Sequence, residues 1–186
     1  MLKTVRDEAR KRLAESGTHG FEHTERVLRA CRHIGVRVGA DLSVLLPAAL
    51  LHDIGRDGAD HASASAEEAR RVLRSIGYEP EKIEAIVEAI STHSFSGGRS
   101  PTSLEARVLS DADKLDAMGA LGVYRAATYS VEHGIPLGGF ISHFHEKLLS
   151  LRERLFTEEA KLMAESRHRF MMDFLSQLDK EIEFET

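Results

Sequence analysis

Residues 41–55 read DLSVLLPAALLHDIG, and the fold turns on how this stretch is buried. Asp41 suits a helix N-cap, because its carboxylate accepts from the unpaired N–H groups of a first turn. Gly55 supplies the stop. Between them leucine, valine and alanine point to almost every side, so the helix has no water-facing stripe until His52 and Asp53. A helix of that kind belongs in the middle of a bundle. Pro47 lacks an N–H and crowds the preceding turn, which confines the regular part to the residues around and after it. His52 and Asp53 are conspicuous because buried polar groups need partners.

Outward from this centre the chain reads as further helices. Thr4 to Ser16 is rich in helix formers and is closed by Gly17. Residues 22–38 place Val27, Ala30, Cys31, Ile34 and Val38 at helical spacing and end at Gly39. Residues 62–76 and 80–93 form two more, with Pro80 at the first helical position of the second. After the loop FSGGRSP (95–101), Thr102 and Glu105 have the spacing of a capping box, and the helix continues through EARVLSDADKLDAM (105–118). HGIPLGG (133–139) is another break, followed by helices near 140–155 and 158–183. In those, Leu148, Leu151, Leu155, Leu162, Phe170, Phe174 and Leu178 are expected to complete the core rather than form a dimer seam, with a homodimer left open. No segment alternates as a sheet strand does, and no internal repeat is found. The expected fold is all-α: one helical bundle over residues 1–186.

Composition narrows the function. Of 186 residues, 42% are apolar and 30% charged, the balance of a packed globular domain. With 25 basic and 30 acidic residues mixed along the chain and a net charge of −5, no electrostatic footprint for a nucleic-acid polymer exists. A small phosphorylated substrate stays open, since a metal ion and a few local cations hold a phosphate whatever the global charge. Cys31 is the only cysteine, so any metal must use histidine and carboxylate. No apolar run approaches the about 18 residues that span a bilayer, and the N-terminal MLKTVRDEARKRLAES is charged throughout. Cytoplasmic residence, without a membrane partner, is the expectation.

The candidate chemistry comes from three separate elements: His23, the pair His52 and Asp53, and Asp113. Helix neighbours point about a quarter-turn apart, so His52 and Asp53 can share one ion only near a helix terminus, where Gly55 puts them. Two neutral imidazoles and two carboxylates suit manganese, iron, cobalt or nickel, with magnesium also compatible. A dication held there acidifies a water molecule and neutralises phosphoryl charge. Arg56, Lys114 and Arg99 are candidate phosphate clamps. The functional reading is favoured for Arg56 and Lys114, which flank ligand positions, and surface solvation for Arg99, in its glycine-rich loop.

The strings HGFEHTERV (19–27), AALLHDIGR (48–56), HSFSGG (93–98) and LSDADKLDAMGALG (109–122), in that order, resemble the HD-domain superfamily of metal-dependent phosphohydrolases. The resemblance runs from about His19 to Arg125 and implies a bundle of the HD type. It implies that His23 is the first metal ligand, His52 and Asp53 the central pair and Asp113 the last. Asp111 competes with Asp113 but lies on a different helical face, as a helix residue or a support to a ligand. Asp116, one turn on from Asp113, orients a ligand or binds Lys114. His61 and His93 resemble the positions that hold a second metal, or that contact phosphate or water in single-metal members. The alternative is a solvated His61 and a helix-terminal His93. The implied activity is hydrolysis of a phosphoester or phosphoanhydride, of a nucleotide or related metabolite. Asp53, Arg56, Lys114 and His93 would act in catalysis, and Arg56, His61, His93 and Lys114 would face the substrate.

Two departures and two rivals bear on that reading. In the deoxynucleotidase branch an acidic residue follows the pair's aspartate by three positions. Here Arg56 stands there, with Asp57 next to it, so that branch's mechanism and monophosphate substrate do not transfer simply. The tripeptide signature of cyclic-dinucleotide phosphodiesterases is missing. One rival is a zinc peptidase using His19, Glu22 and His23 in an H-x-x-E-H pattern, which needs an unbroken helix where Gly17 and Gly20 predict a loop. The runner-up is a non-catalytic, metal-stabilised binding or signalling module.

Overall fold

In the computed structural model residues 1–15, 17–55, 60–94 and 100–184 are described, and among them no strand occurs. The fold is all-α. The chain falls into two compact units, Met1–Asp113 and Lys114–Thr186. The first contains α1 (Leu2–Arg12), α2 (Phe21–Val38), α3 (Leu42–Leu51), α4 (His61–Ser75), α5 (Pro80–Thr92) and the residues of α6 (Leu104–Asp116) up to Asp113. The second contains α7 (Gly119–Glu132), α8 (Leu137–Glu146), a 3-10 helix (Leu148–Arg154) and α9 (Glu158–Ile182).

In the first unit α3 is the central helix, as its composition demands. Every residue from Val44 to Leu51 is buried, and α1, α2, α4 and α5 pack around it. Asp41 caps it, its side chain accepting from the Ser43 N–H at 2.8 Å. Pro47 does not shorten the helix, contrary to expectation: α3 is regular on both sides of it. Proline has no N–H to give to the carbonyl four residues back, and the Tyr78 hydroxyl donates to that carbonyl, Ser43 O, at 2.6 Å. A residue between α4 and α5 thus replaces the lost donor.

Two boundaries move for a similar reason. The first helix ends at Arg12 rather than near Ser16, because the Ala14 and Glu15 carbonyls turn away to accept from the Phe21 and Glu22 N–H groups of α2, at 2.7 and 3.3 Å. The capping box at Thr102 and Glu105 is displaced. Ser103 Oγ accepts from the Ala106 N–H, while Thr102 donates to Glu88 and Glu105 accepts from the Asp41 N–H at 2.8 Å. These side chains tie α6 to α5 and α3 instead of to their own helix.

In the second unit Gly119, with φ at +70°, separates α6 from α7. The Arg125 guanidinium pairs with Asp116 at 3.0 Å, and Arg167 donates to the Leu115 carbonyl. The expected helix near 140–155 is two pieces, α8 and the 3-10 turn. Phe140, Phe144 and Phe174 pack with ring centroids 5.0–6.3 Å apart, and Leu148, Leu151 and Leu155 are buried. Leu162 and Phe170, expected in the core, are exposed. The buried face of α9 is instead Ala160, Ala164, Met171 and Leu175, small at its N-terminal end and larger further on. Among the described residues no helix is long and apolar enough to cross a membrane.

Candidate metal centre

The α3 helix ends at Leu51, and His52 to Gly55 form a turn. Consecutive residues of a turn can converge where those of a helix cannot, so the His52 and Asp53 side chains share one place: His52 Nε2 is 3.6 Å from Asp53 Oδ2. From the first turn of α2, His23 Nε2 reaches within 3.3 Å of His52 Nε2 and 3.7 Å of Asp53 Oδ2. From the end of α6, Asp113 Oδ1 comes within 3.4 Å of His23 Nε2. Both histidines and Asp53 are buried, and 31% of the Asp113 side chain remains exposed. All four residues lie within Met1–Asp113.

Gly55 makes this turn affordable sterically. A Cβ there would stand 2.7 Å from the backbone of Ala64 and Ser65 in α4, and the Gly55 N–H donates to Ser65 Oγ at 3.0 Å. The turn carrying the pair is therefore laid directly on α4.

His52 Nδ1 lies 2.9 Å from the Ala49 carbonyl, and His93 Nδ1 lies 2.6 Å from the Ile90 carbonyl. A carbonyl only accepts, so each Nδ1 carries the hydrogen and each Nε2 presents a lone pair. Burial lowers the pKa of His52, with His23 adding to it against the opposing pull of Asp53 and Asp113. Burial and then His52 lower that of His93. Burial works to raise the Asp113 carboxyl but is outweighed by the His23 hydrogen bond and the His23, His52 and His93 imidazoles, which hold it well below the usual carboxylate range. Lone pairs and carboxylate oxygens are thus gathered with few hydrogens to place between them. Their spacings of 3.3–3.7 Å suit ligands that share one cation at bonds of about 2.1 Å. The donor set fits a divalent metal.

Three overlapping groups are close enough to hold an ion: His23, His52 and Asp113; His52, Asp53 and His93; and His19, His23 and Asp53. His93 is buried at the end of α5, its ring edge-on to His52 at 5.2 Å. His61, half-buried at the start of α4, stands edge-on to His93 at 5.7 Å. His93 is therefore both helix-terminal and part of the cluster. Among the described residues Asp111 belongs to none of these groups; it is fully buried.

Lys114 is buried, its Nζ 5.1 Å above the Phe156 ring. Asp116 pairs with Arg125 at 3.0 Å. Arg56, Asp57 and Arg99 lie outside the described residues. The peptidase pattern lacks its helix, since α2 begins at Phe21 and His19 precedes it in a turn. Yet His19 is at the site: its Nδ1 is 3.1 Å from Asp53 Oδ2. Sequence reasoning placed it only in the rejected peptidase motif. Its spacing of four from His23 was the available signal, but whether a loop residue folds back onto a distant helix end is not written in local spacing.

The sequence model of the HD domain family matches residues 20–118. YpgQ of Bacillus subtilis strain 168 is 35% identical over 177 residues, which cover 90% of this chain and 86% of YpgQ. The crystal structure of B. subtilis YpgQ in complex with ADP aligns with a TM-score of 0.84 at 32% identity, covering 98% of each chain. An HD-superfamily hydrolase from Bacillus thuringiensis aligns with a TM-score of 0.79 at 28% identity, covering 98% of this chain and 96% of that one.

Proposed function

From the premise that this chain belongs to the HD-domain superfamily, we propose that it is a divalent-metal-dependent phosphohydrolase acting on a nucleotide or a related small phosphorylated metabolite. The observation that carries the reading is the convergence of His23, His52, Asp53 and Asp113 from three elements onto spacings of 3.3–3.7 Å. Similarity to an HD-superfamily hydrolase supports hydrolysis, and similarity to a YpgQ structure that holds ADP supports a nucleotide. Manganese, iron, cobalt or nickel suits the mixed nitrogen and oxygen donors.

In this reading His23, His52, Asp53 and Asp113 hold the ion, and the Ala49 carbonyl keeps His52 in the tautomer that offers Nε2. When bound, the ion acidifies water and neutralises charge on phosphoryl oxygens. His93, held by the Ile90 carbonyl, and His61 beside it face the phosphate or a second ion. Arg56, three positions after Asp53, neutralises non-reacting phosphoryl oxygens as a bidentate donor.

The test is a metal-supplemented screen over nucleoside mono-, di- and triphosphates, cyclic nucleotides and sugar phosphates, with inorganic phosphate and pyrophosphate measured separately to distinguish ester from anhydride cleavage. The protein is expected to carry about one transition metal per chain. Asp113→Asn is expected to lose both metal and turnover. Retention of both in Asp113→Asn, with loss in Asp111→Asn, would overturn the ligand assignment, and no product from any compound would overturn the hydrolase.

A further inference from the structure

Asp53 sits in a turn beyond the end of α3, where its terminal torsion is soft. Its Oδ2 is approached by three imidazoles: His52 Nε2 at 3.6 Å, His23 Nε2 at 3.7 Å and His19 Nδ1 at 3.1 Å. Only the last is a hydrogen-bonding distance. A carboxylate only accepts, so Nδ1 is the donor.

The segment that presents His19 is itself pinned. Gly17 adopts φ +106°, the Gly20 N–H donates to the Gly17 carbonyl at 3.3 Å, and the Phe21 N–H donates to the Ala14 carbonyl at 2.7 Å. The His19 ring stands edge-on to that of His23, with centroids 5.5 Å apart and planes at 84°. It is therefore fixed at both its backbone and its ring, while 35% of its side chain stays exposed.

We propose that His19 is a positioning residue for Asp53, donating its Nδ1–H to Oδ2 and so aiming the carboxylate toward the place where His23 and His52 meet. The inference rests on the metal-centre reading above and extends it to a residue outside the four ligands. Ligating carboxylates are themselves hydrogen-bonded, and removing such a partner costs about 10–100-fold in metal affinity.

The experiment is a calorimetric titration of Mn²⁺ into the metal-free, full-length chain. His19→Ala is expected to weaken Mn²⁺ binding about 10–100-fold while leaving the melting temperature of the metal-free protein unchanged, because the side chain is partly exposed. His19→Asn, whose amide nitrogen superposes on Nδ1, is expected to recover most of the affinity. Asp113→Asn, titrated in parallel, is expected to lose binding. If His19→Ala binds as the parent while Asp113→Asn does not, the positioning role is wrong and the metal centre stands. Equal losses in His19→Ala and His19→Asn also overturn it, since the imidazole would then be a ligand in its own right. If Asp113→Asn binds as the parent, the metal-centre reading falls and takes this inference with it.

Discussion

At the scale of single residues the site depends on steric permission as much as on chemistry. Gly55 follows the His-Asp turn so closely against α4 that a methyl group would overlap the backbone of Ala64 and Ser65 at 2.7 Å. Neither partner is a flexible side-chain end, so the turn or the helix must move. Gly55→Ala is expected to destabilise the fold by about 1–3 kcal/mol, measured by urea denaturation, and to weaken metal binding because His52 and Asp53 ride on the displaced turn. Unchanged stability with unchanged Mn²⁺ affinity would show that α4 yields freely at that point.

At the scale of elements, α3 shows how a helix tolerates a proline deep in a core. The carbonyl that Pro47 deprives of a donor is Ser43 O, and the Tyr78 hydroxyl serves it at 2.6 Å. Burial raises the Tyr78 pKa, which keeps the hydroxyl protonated and able to donate. Tyr78→Phe leaves that carbonyl without this donor, and the expected cost is about 1–3 kcal/mol. In a Pro47→Ala background the backbone N–H returns, so the same Tyr78→Phe change should cost clearly less. A double-mutant cycle measures the difference, and identical costs in the two backgrounds would refute the substitution of one donor for the other.

At the scale of the whole molecule, metal occupancy and stability are linked. A ligand that binds only the native chain stabilises it by about 2.7 kcal/mol at a hundredfold excess over its dissociation constant. Stripping the metal with a chelator is therefore expected to lower the melting temperature, and adding Mn²⁺ back to restore it. Asp113→Asn should melt at the same temperature with and without chelator. A parent protein indifferent to both treatments would argue that the clustered imidazoles and carboxylates hold no ion.

Much of the helical framework was legible from local pattern: the unrelieved apolar run of residues 44–51, the glycine after α2 and the proline opening α5 each act through short-range sterics or burial that a linear sequence displays. Motif and order likewise singled out His23, His52, Asp53 and Asp113, and the structure brings these side chains into pairs 3.3–3.7 Å apart. What local pattern could not contain was which long-range partner each polar group would find. Thr102 and Glu105 had the spacing to cap their own helix, but they found Glu88 and Asp41 instead. Leu162 and Phe170 had core composition and ended exposed, because the packing of α9 selected the face bearing Ala160 and Ala164. His19 reached Asp53, 34 positions away, and Asp113 came within 3.4 Å of His23. Spacing along a chain sets which residues share a face, whereas the rotation of each helix about its axis is set by how whole surfaces pack, and only the folded structure supplies that rotation.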